Sequence, residues 1–328
     1  MEKKDIGLKE IAYELKLSIN TVSRALRDCK DISSATKAKV REKAIELGYL
    51  QSSLSKLSYS QKKLIAIATS EFNNTYFSIA CEVLFSLIEK EDNYTSTIIF
   101  IKSPFDVDSM KKCISQRVDG IISLLEFSEE AVEMAKLNNI PLVLLGFPSK
   151  FDYVKYVRTD DKFGGELVAN YLSNCLGIEK FIYISFGDFI INRLRRDSFF
   201  NKVYEINKNA LIKEIQIGEL DSEEMVNNII SLINDGYYGV FCYNDSFAYS
   251  LLAKLSKRIP NIMQTYPRLY IVGYDALCTK VLGFVDLASV QYNYNDFGNA
   301  AIEYIKAFFE NKDYTAPLIP VKLKQLKK

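Results

Sequence analysis

From Leu64 to Asp275 the chain alternates short, continuous apolar runs with amphipathic stretches, and it completes this pattern twice. The first set of runs is LIAIAT (64–69), TSTIIFI (95–101), DGIISLL (119–125) and PLVLLG (141–146), separated by helical stretches over 76–90, 107–116 and 128–138. The second set is KFIYISF (180–186), LIKEIQIG (211–218), GVFCYN (239–244) and RLYIVGYD (268–275), with helical stretches over 163–176, 190–207, 222–234 and 246–257. Strands that are apolar at successive positions have no water-facing side. They belong to parallel sheets covered by helices on both faces. Two such sets predict two α/β lobes. Crossovers are expected near 157–161, 291–293 and 313–317. They return a helix over 297–310 to the first lobe and the tail 318–328 to the second.

The first sixty residues have a different character. Residues 1–62 carry 13 Lys/Arg against 8 Asp/Glu, whereas the whole chain holds 42 against 41. A small basic head on a mildly acidic body points the head towards an anionic partner. Residues 51–63, QSSLSKLSYSQKK, are rich in Ser, Lys and Gln and read as a linker. The expected boundaries are therefore a head over 1–50, a hinge over 51–63 and a body over 64–328. Within the body, lobe one covers about 64–158 and 293–314, and lobe two about 159–292 and 315–328.

Leu8, Ile11, Ala12 and Leu15 lie on one helical face. Ser18 is an N-cap for a second helix over 19–26, which buries Val22, Ala25 and Leu26. A third helix starts at Ser33 or Ser34 and stops at Gly48. Three short helices with a tight turn between the first two make a helix-turn-helix. Such a unit lays the N-terminal end of its second helix in the DNA major groove. Ile19, Asn20 and Arg24 then face bases: Asn suits adenine, Arg suits guanine, and Ile suits a thymine methyl. Ser18, Thr21, Ser23 and the backbone N–H groups at the helix start suit phosphates. A three-helix protein-binding module would share the pattern.

The run LKEIAYELKLSINTVSRALRDCKDISSATKAKVREKAIELGY resembles the head of the LacI/GalR (lactose/galactose repressor) family of bacterial transcription regulators. The TVSRAL core, the Ser/Thr-Lys-x-x-V run and the closing LGY carry the resemblance. The turn departs from the family's Ala-Gly-Val-Ser: here it reads Leu15-Lys16-Leu17-Ser18, with Lys16 where a residue tolerant of positive φ is usual. The linker also lacks the family's Pro-Asn-x-x-Ala-Arg-x-Leu wording. The resemblance implies a hinge helix that wedges a leucine into the minor groove. Leu54 and Leu57 are the candidates, with Leu57 preferred; packing on the body or on a dimer mate is the alternative role for both. It also implies a periplasmic-binding-protein-like body, so the expected fold is an all-α helix-turn-helix head followed by a two-lobed α/β effector domain.

Ligands of open parallel sheets sit outside the C-terminal ends of the strands. Asn74, Tyr76 and Phe77 follow the first strand, where the family reads Asn-Pro-Phe-Phe. Phe147 follows the fourth strand, and Asp160 and Asp161 stand at the first crossover. NRLRRDSF resembles the family's Arg-Leu-x-Gly-Phe ligand motif. Arg195 is the matching arginine, Arg193 and Arg196 are its rivals, and Ser198 stands in place of the motif glycine and is expected to crowd the ligand. Asn244, Asp275 and Gln291 complete the set, with Asp245, Tyr292 and Asn293 beside them. Asp, Asn and Arg suit sugar hydroxyls, and Tyr or Phe stack on an apolar face. Plainer roles exist for each, such as helix caps for Asp160, Asp275 and Asn244 and packing for Tyr76 and Phe77.

The chain has no His, and its six Cys are scattered without a CxxC. His-based catalysis and His metal sites are excluded, and no Gly-rich phosphate loop or paired catalytic carboxylates are present. No enzyme activity, metal or cofactor is expected. No apolar run is long enough to cross a membrane, and the opening Met1-Glu2-Lys3-Lys4-Asp5 is no signal peptide. The expected function is that of a cytoplasmic, homodimeric DNA-binding regulator acting as a repressor. Its partners are double-stranded operator DNA and a small effector, a sugar or sugar phosphate. The competing reading is a solute-binding protein of a transport system, which the basic head disfavours.

Overall fold

A computed structural model describes residues 7–26, 29, 32–47, 49, 62–216, 222–277 and 287–325. The chain divides into two compact units, Met1–Lys63 with Asp92–Thr95, and Leu64–Glu91 with Ser96–Lys328.

The head contains α1 (Leu8–Leu15), α2 (Ile19–Leu26) and α3 (Ser34–Glu46). Each helix start has a chemical cause. Glu10 accepts a hydrogen bond from the Gly7 amide at 2.8 Å, Ser18 from Thr21 N at 3.0 Å and Ser33 from Thr36 N at 3.2 Å. Ile11, Ala12, Val22, Ala25, Leu26, Val40 and Ala44 form the core of the unit; Leu8 and Leu15, expected on the same face of α1, pack against it only partly buried. Lys16 closes α1 in the left-handed region at φ 53°, the conformation that the departure from the usual turn wording called into question. Gly48, Leu54 and Leu57 lie outside the described residues.

The body holds two sheets. The first contains β1 (Lys63–Thr69), β2 (Tyr94–Phe100), β3 (Gly120–Ser123), β4 (Leu142–Leu145) and β5 (Val154–Val157), in the order β2-β1-β3-β4-β5. Its helices are α4 (Thr75–Ile88), α5 (Val107–Ser115) and α6 (Glu129–Leu137). The second contains β6 (Lys180–Ser185), β7 (Leu211–Gln216), β8 (Gly239–Cys242), β9 (Tyr270–Tyr274), β10 (Ala288–Gln291) and β11 (Lys322–Lys324). They are ordered β11-β10-β9-β8-β6-β7, with the β10–β11 pair antiparallel and the other pairs parallel.

Around the second sheet lie α7 (Asp161–Asn170), continued by a π-helical turn over Tyr171–Cys175, then α8 (Ile190–Ile206), α9 (Glu223–Asn234), α10 (Asp245–Arg258) and the short α11 (Ile262–Thr265). Along β6, Phe181 and Tyr183 enter one hydrophobic layer and Ile182 and Ile184 the other, so the sheet is covered on both faces. The last helix, α12 (Tyr294–Phe309), packs on α4 in the first lobe, while the tail strand β11 joins the second sheet. β5 and β10 extend the sheets beyond the strands expected from the sequence.

Candidate functional site

Two surfaces carry the chemistry. On the head, the start of α2 is open to solvent: Ser18, Ile19, Asn20 and Arg24 are exposed and Thr21 and Ser23 half-buried. Val22, Ala25 and Leu26 hold the opposite face in the core. Ile19 is 46 % exposed, an apolar side chain presented beside Asn20 at a helix N-terminus instead of being packed. The Ser18 hydroxyl is shared between Thr21 N and Thr21 Oγ1, at 3.0 and 2.8 Å.

In the body, a cavity of about 430 Å³ opens at the C-terminal ends of the strands of both sheets. Glu71, Asn74, Tyr76, Phe77, Gly146 and Phe147 line it from the first lobe, and Phe186, Ile191, Arg195, Tyr243, Asn244, Ser246 and Phe247 from the second. Asp275 follows β9 of the second sheet, and Thr159, Tyr292 and Phe297 come from the crossing segments and their continuations. Gly146 sits at φ 106°, and a Cβ there would stand 3.1 Å from the Tyr76 hydroxyl, so this wall needs a glycine.

Arg195 is the electrostatic centre. It is 6 % exposed although it projects from α8 into the cavity. Its Nε donates to Asp161 Oδ1 at 2.8 Å and its Nη1 to the Tyr243 carbonyl at 2.7 Å. Nη2 lies 3.8 Å from Asp275 Oδ1, and the guanidinium lies 3.5 Å from the centroid of the Tyr274 ring. Burial lowers the affinity of Arg195 for its proton, but the Asp161 and Asp275 charges outweigh it, and the group stays cationic. Burial pushes the Asp161 carboxyl up while Arg195 pulls it back. The Asp275 carboxyl is pushed up to about 6, by burial first and against the pull of Arg195. Burial, then the Asp275 charge, holds the Tyr76 phenol protonated far above its usual range.

Asp275 is held in a strained conformation, φ 91°, followed by Ala276 at φ 46°. A brace behind the loop explains how this persists. Asp275 N donates to the Val290 carbonyl at 2.8 Å, and the Tyr294 hydroxyl donates to the Asp275 carbonyl at 3.2 Å. Asp245, at the start of α10, accepts from Leu277 N and from the Ser289 hydroxyl, both at 2.7 Å, and Ser289 Oγ accepts from Ala276 N at 3.0 Å. Burial pushes the Asp245 carboxyl up to about 8.

Residues 7–52 match the family described as bacterial regulatory proteins, lacI family. The chain is 24 % identical over 320 residues to the HTH-type transcriptional repressor PurR of Vibrio vulnificus, covering 94 % of this chain and 93 % of that protein. The head is thus a lacI-family DNA-binding domain, and the chain as a whole is similar to transcription regulators that carry one. The fold agrees: a lac repressor dimer solved on its operator superposes with a TM-score of 0.71 at 17 % identity, covering 98 % of both chains. A periplasmic binding protein/LacI regulator from Alkaliphilus metalliredigens, complexed with D-xylulofuranose, superposes at 0.66 with 21 % identity, over 80 % of this chain and 98 % of that one. These relatives are DNA-binding regulators and not enzymes. Among the described residues no helix is long and apolar enough to cross a membrane.

Of the cavity residues expected from the sequence, Asn74, Tyr76, Phe77, Phe147, Arg195, Asn244 and Asp275 line the cavity. Asp160 and Gln291 do not. Asp160 caps α7 by accepting from Phe163 N at 3.0 Å, and the buried acid beside Arg195 is its neighbour Asp161. Gln291 is paired along β10 with Lys322, and the next residue, Tyr292, lines the wall instead. Ser198 does not crowd the cavity. Its hydroxyl donates to the Leu194 carbonyl at 2.7 Å, and its side chain meets Gly165 on α7. Arg193 and Arg196 are occupied elsewhere, with Asp188 and with Asp197 and Glu214. Glu71, Thr159, Phe186, Ile191, Tyr243, Ser246, Phe247 and Phe297 were not anticipated. The strand-end rule reaches Tyr243 and Phe186, because both end apolar runs.

Proposed function

We propose that the protein is an effector-gated repressor that binds a two-half-site operator as a homodimer. Ile19, Asn20 and Arg24 read bases, Ser18, Thr21 and Ser23 contact phosphates, and Leu54 or Leu57 enters the minor groove between half-sites. The head is residues 1–50, the hinge 51–63 and the body 64–328. An exposed apolar edge supports pairing of bodies. Phe72 and Phe100 touch edge to face at 4.6 Å, and Ile98 lies two residues earlier on β2, the edge strand of its sheet.

The observation that carries effector control is the body cavity: a buried Arg195–Asp275 pair and two asparagine amides set among aromatic walls drawn from both lobes. Aromatic faces and convergent hydroxyl-binding groups suit a sugar or a similar ring compound, and a structural neighbour holds D-xylulofuranose. Effector and operator each shift the affinity for the other by the same factor.

Asn244→Asp tests this. The new carboxylate keeps the cap to Phe247 N, 3.0 Å in the native chain, and replaces the Nδ2 donor. The variant is expected to bind a duplex selected in vitro as tightly as wild type. Its operator binding should no longer respond to the sugar that shifts wild-type binding in a fluorescence-anisotropy screen. An unaltered response in Asn244→Asp contradicts the cavity as the control site.

A further inference from the structure

The charge arrangement of the cavity speaks to the kind of effector, and the argument rests on the reading of the cavity just given. Among the described residues that line it, the charged groups are Glu71, Asp275 and Arg195, and Arg195 is the one cation. That cation already has an anionic partner. Asp161 is fully buried behind it, outside the lining, and takes the Nε–H at 2.8 Å. The Tyr243 carbonyl takes Nη1 at 2.7 Å, and the Asp275 carboxylate stands 3.8 Å from Nη2.

A phosphate or carboxylate entering here meets a guanidinium whose charge is balanced from behind. It also meets two further carboxylates, Asp275 and Glu71. Transferring an anionic group from water into such a site is costly without a cation to receive it. The uncharged groups point the other way. Asn74 and Asn244 spend their Oδ1 atoms on the helix starts at Tyr76 N and Phe247 N, both at 3.0 Å. Their Nδ2 groups remain as neutral donors, and Asp275 as an acceptor for O–H or N–H.

We infer that the cavity takes an effector without an anionic group and rejects phosphorylated or carboxylated ligands, with Asp161 as the residue that sets this preference. Of the two effector chemistries that the sequence suggests, the free sugar fits and the sugar phosphate does not. Asp161 acts through Arg195 and is a positioning and charge-setting residue, not a ligand contact.

The test is calorimetry on the full chain with inorganic phosphate, and with ribose against ribose 5-phosphate. Wild type is expected to give no saturable heat with phosphate or with ribose 5-phosphate. Asp161→Asn keeps an oxygen acceptor for Nε and removes the balancing charge. It is expected to give saturable heat with phosphate at concentrations where wild type gives none, and the added Asn244→Asp should abolish that gain. Asp275→Asn removes the second acid without stranding Arg195, and it should gain phosphate binding even if Asp161→Asn fails to fold. Saturable phosphate or ribose 5-phosphate binding by wild type that Asn244→Asp removes overturns the inference. So does a folded Asp161→Asn or Asp275→Asn with no gain. Either result leaves the cavity as the control site, which the operator response of Asn244→Asp decides separately.

Discussion

Asp275 combines three costs in one residue: a buried carboxylate, a left-handed backbone and a neighbour, Ala276, in the same region. Proteins keep such residues where the geometry serves a ligand, and here the brace from Asp245, Ser289 and Tyr294 holds the loop in place. The ionisation cost has a definite pH signature. The carboxyl is pushed from its ordinary value of 3.8 up to about 6, so the folded protein binds this proton more tightly than the unfolded chain. Its penalty is absent below about pH 4, grows as pH rises through 6, and is complete above it, at up to about 3 kcal/mol for a group buried this deeply. Asp275→Asn removes the penalty. In urea melts of the full chain, the variant should exceed wild type in stability at pH 7.5, and the gap should close as pH falls towards 4. A gap that widens on acidification contradicts this account of the site's electrostatics.

At the scale of elements, the placement of Arg195 depends on how closely α7 and α8 approach. Gly165 makes this possible: a Cβ there would run into the Arg195 carbonyl and the Ser198 hydroxyl, and would lie 3.0 Å from Phe199 N, whereas Gly164 leaves room for the Tyr274 ring of β9. Gly165→Ala must push α8 outward, which costs roughly 1–3 kcal/mol through overpacking. It also draws Arg195 away from Asp161. Thermal melts should show the loss of stability, and effector titrations a loss of affinity; a variant that loses neither means that the helix contact does not position the site.

The elements themselves were largely legible in the sequence, because core helices and doubly covered strands repeat their apolar residues at fixed periods. β5 and β10 were not. VKYV exposes its two middle residues, and ASVQ is short and partly polar, so neither has the continuous run that marks a covered strand. The cavity was legible where a residue follows a strand end, as at Asn74, Phe147, Asn244 and Asp275. It was not legible at the Asp160–Asp161 pair. Which of two adjacent acids caps the helix and which turns inward to Arg195 depends on the angle at which α7 leaves the crossover, and that angle comes from packing on α8.

On the scale of the whole molecule, one chain carries a DNA-binding head and a ligand-binding body, and control by a ligand depends on what the head binds. Its excess of positive charge should make binding fall steeply with salt through counterion release, and pairing of two chains should require two half-sites. The most direct measurement is fluorescence anisotropy of the full chain on a palindromic duplex selected in vitro, on the same duplex with one half-site scrambled, and on an unrelated duplex, for wild type and Arg24→Ala. Wild type should bind the palindrome far more tightly than either control. Arg24→Ala should lose roughly 1–3 kcal/mol on the palindrome while binding the unrelated duplex much as wild type does. Equal affinity of wild type and Arg24→Ala for the palindrome, or no preference of wild type for it over the unrelated duplex, would contradict the assignment of α2 as the reading helix.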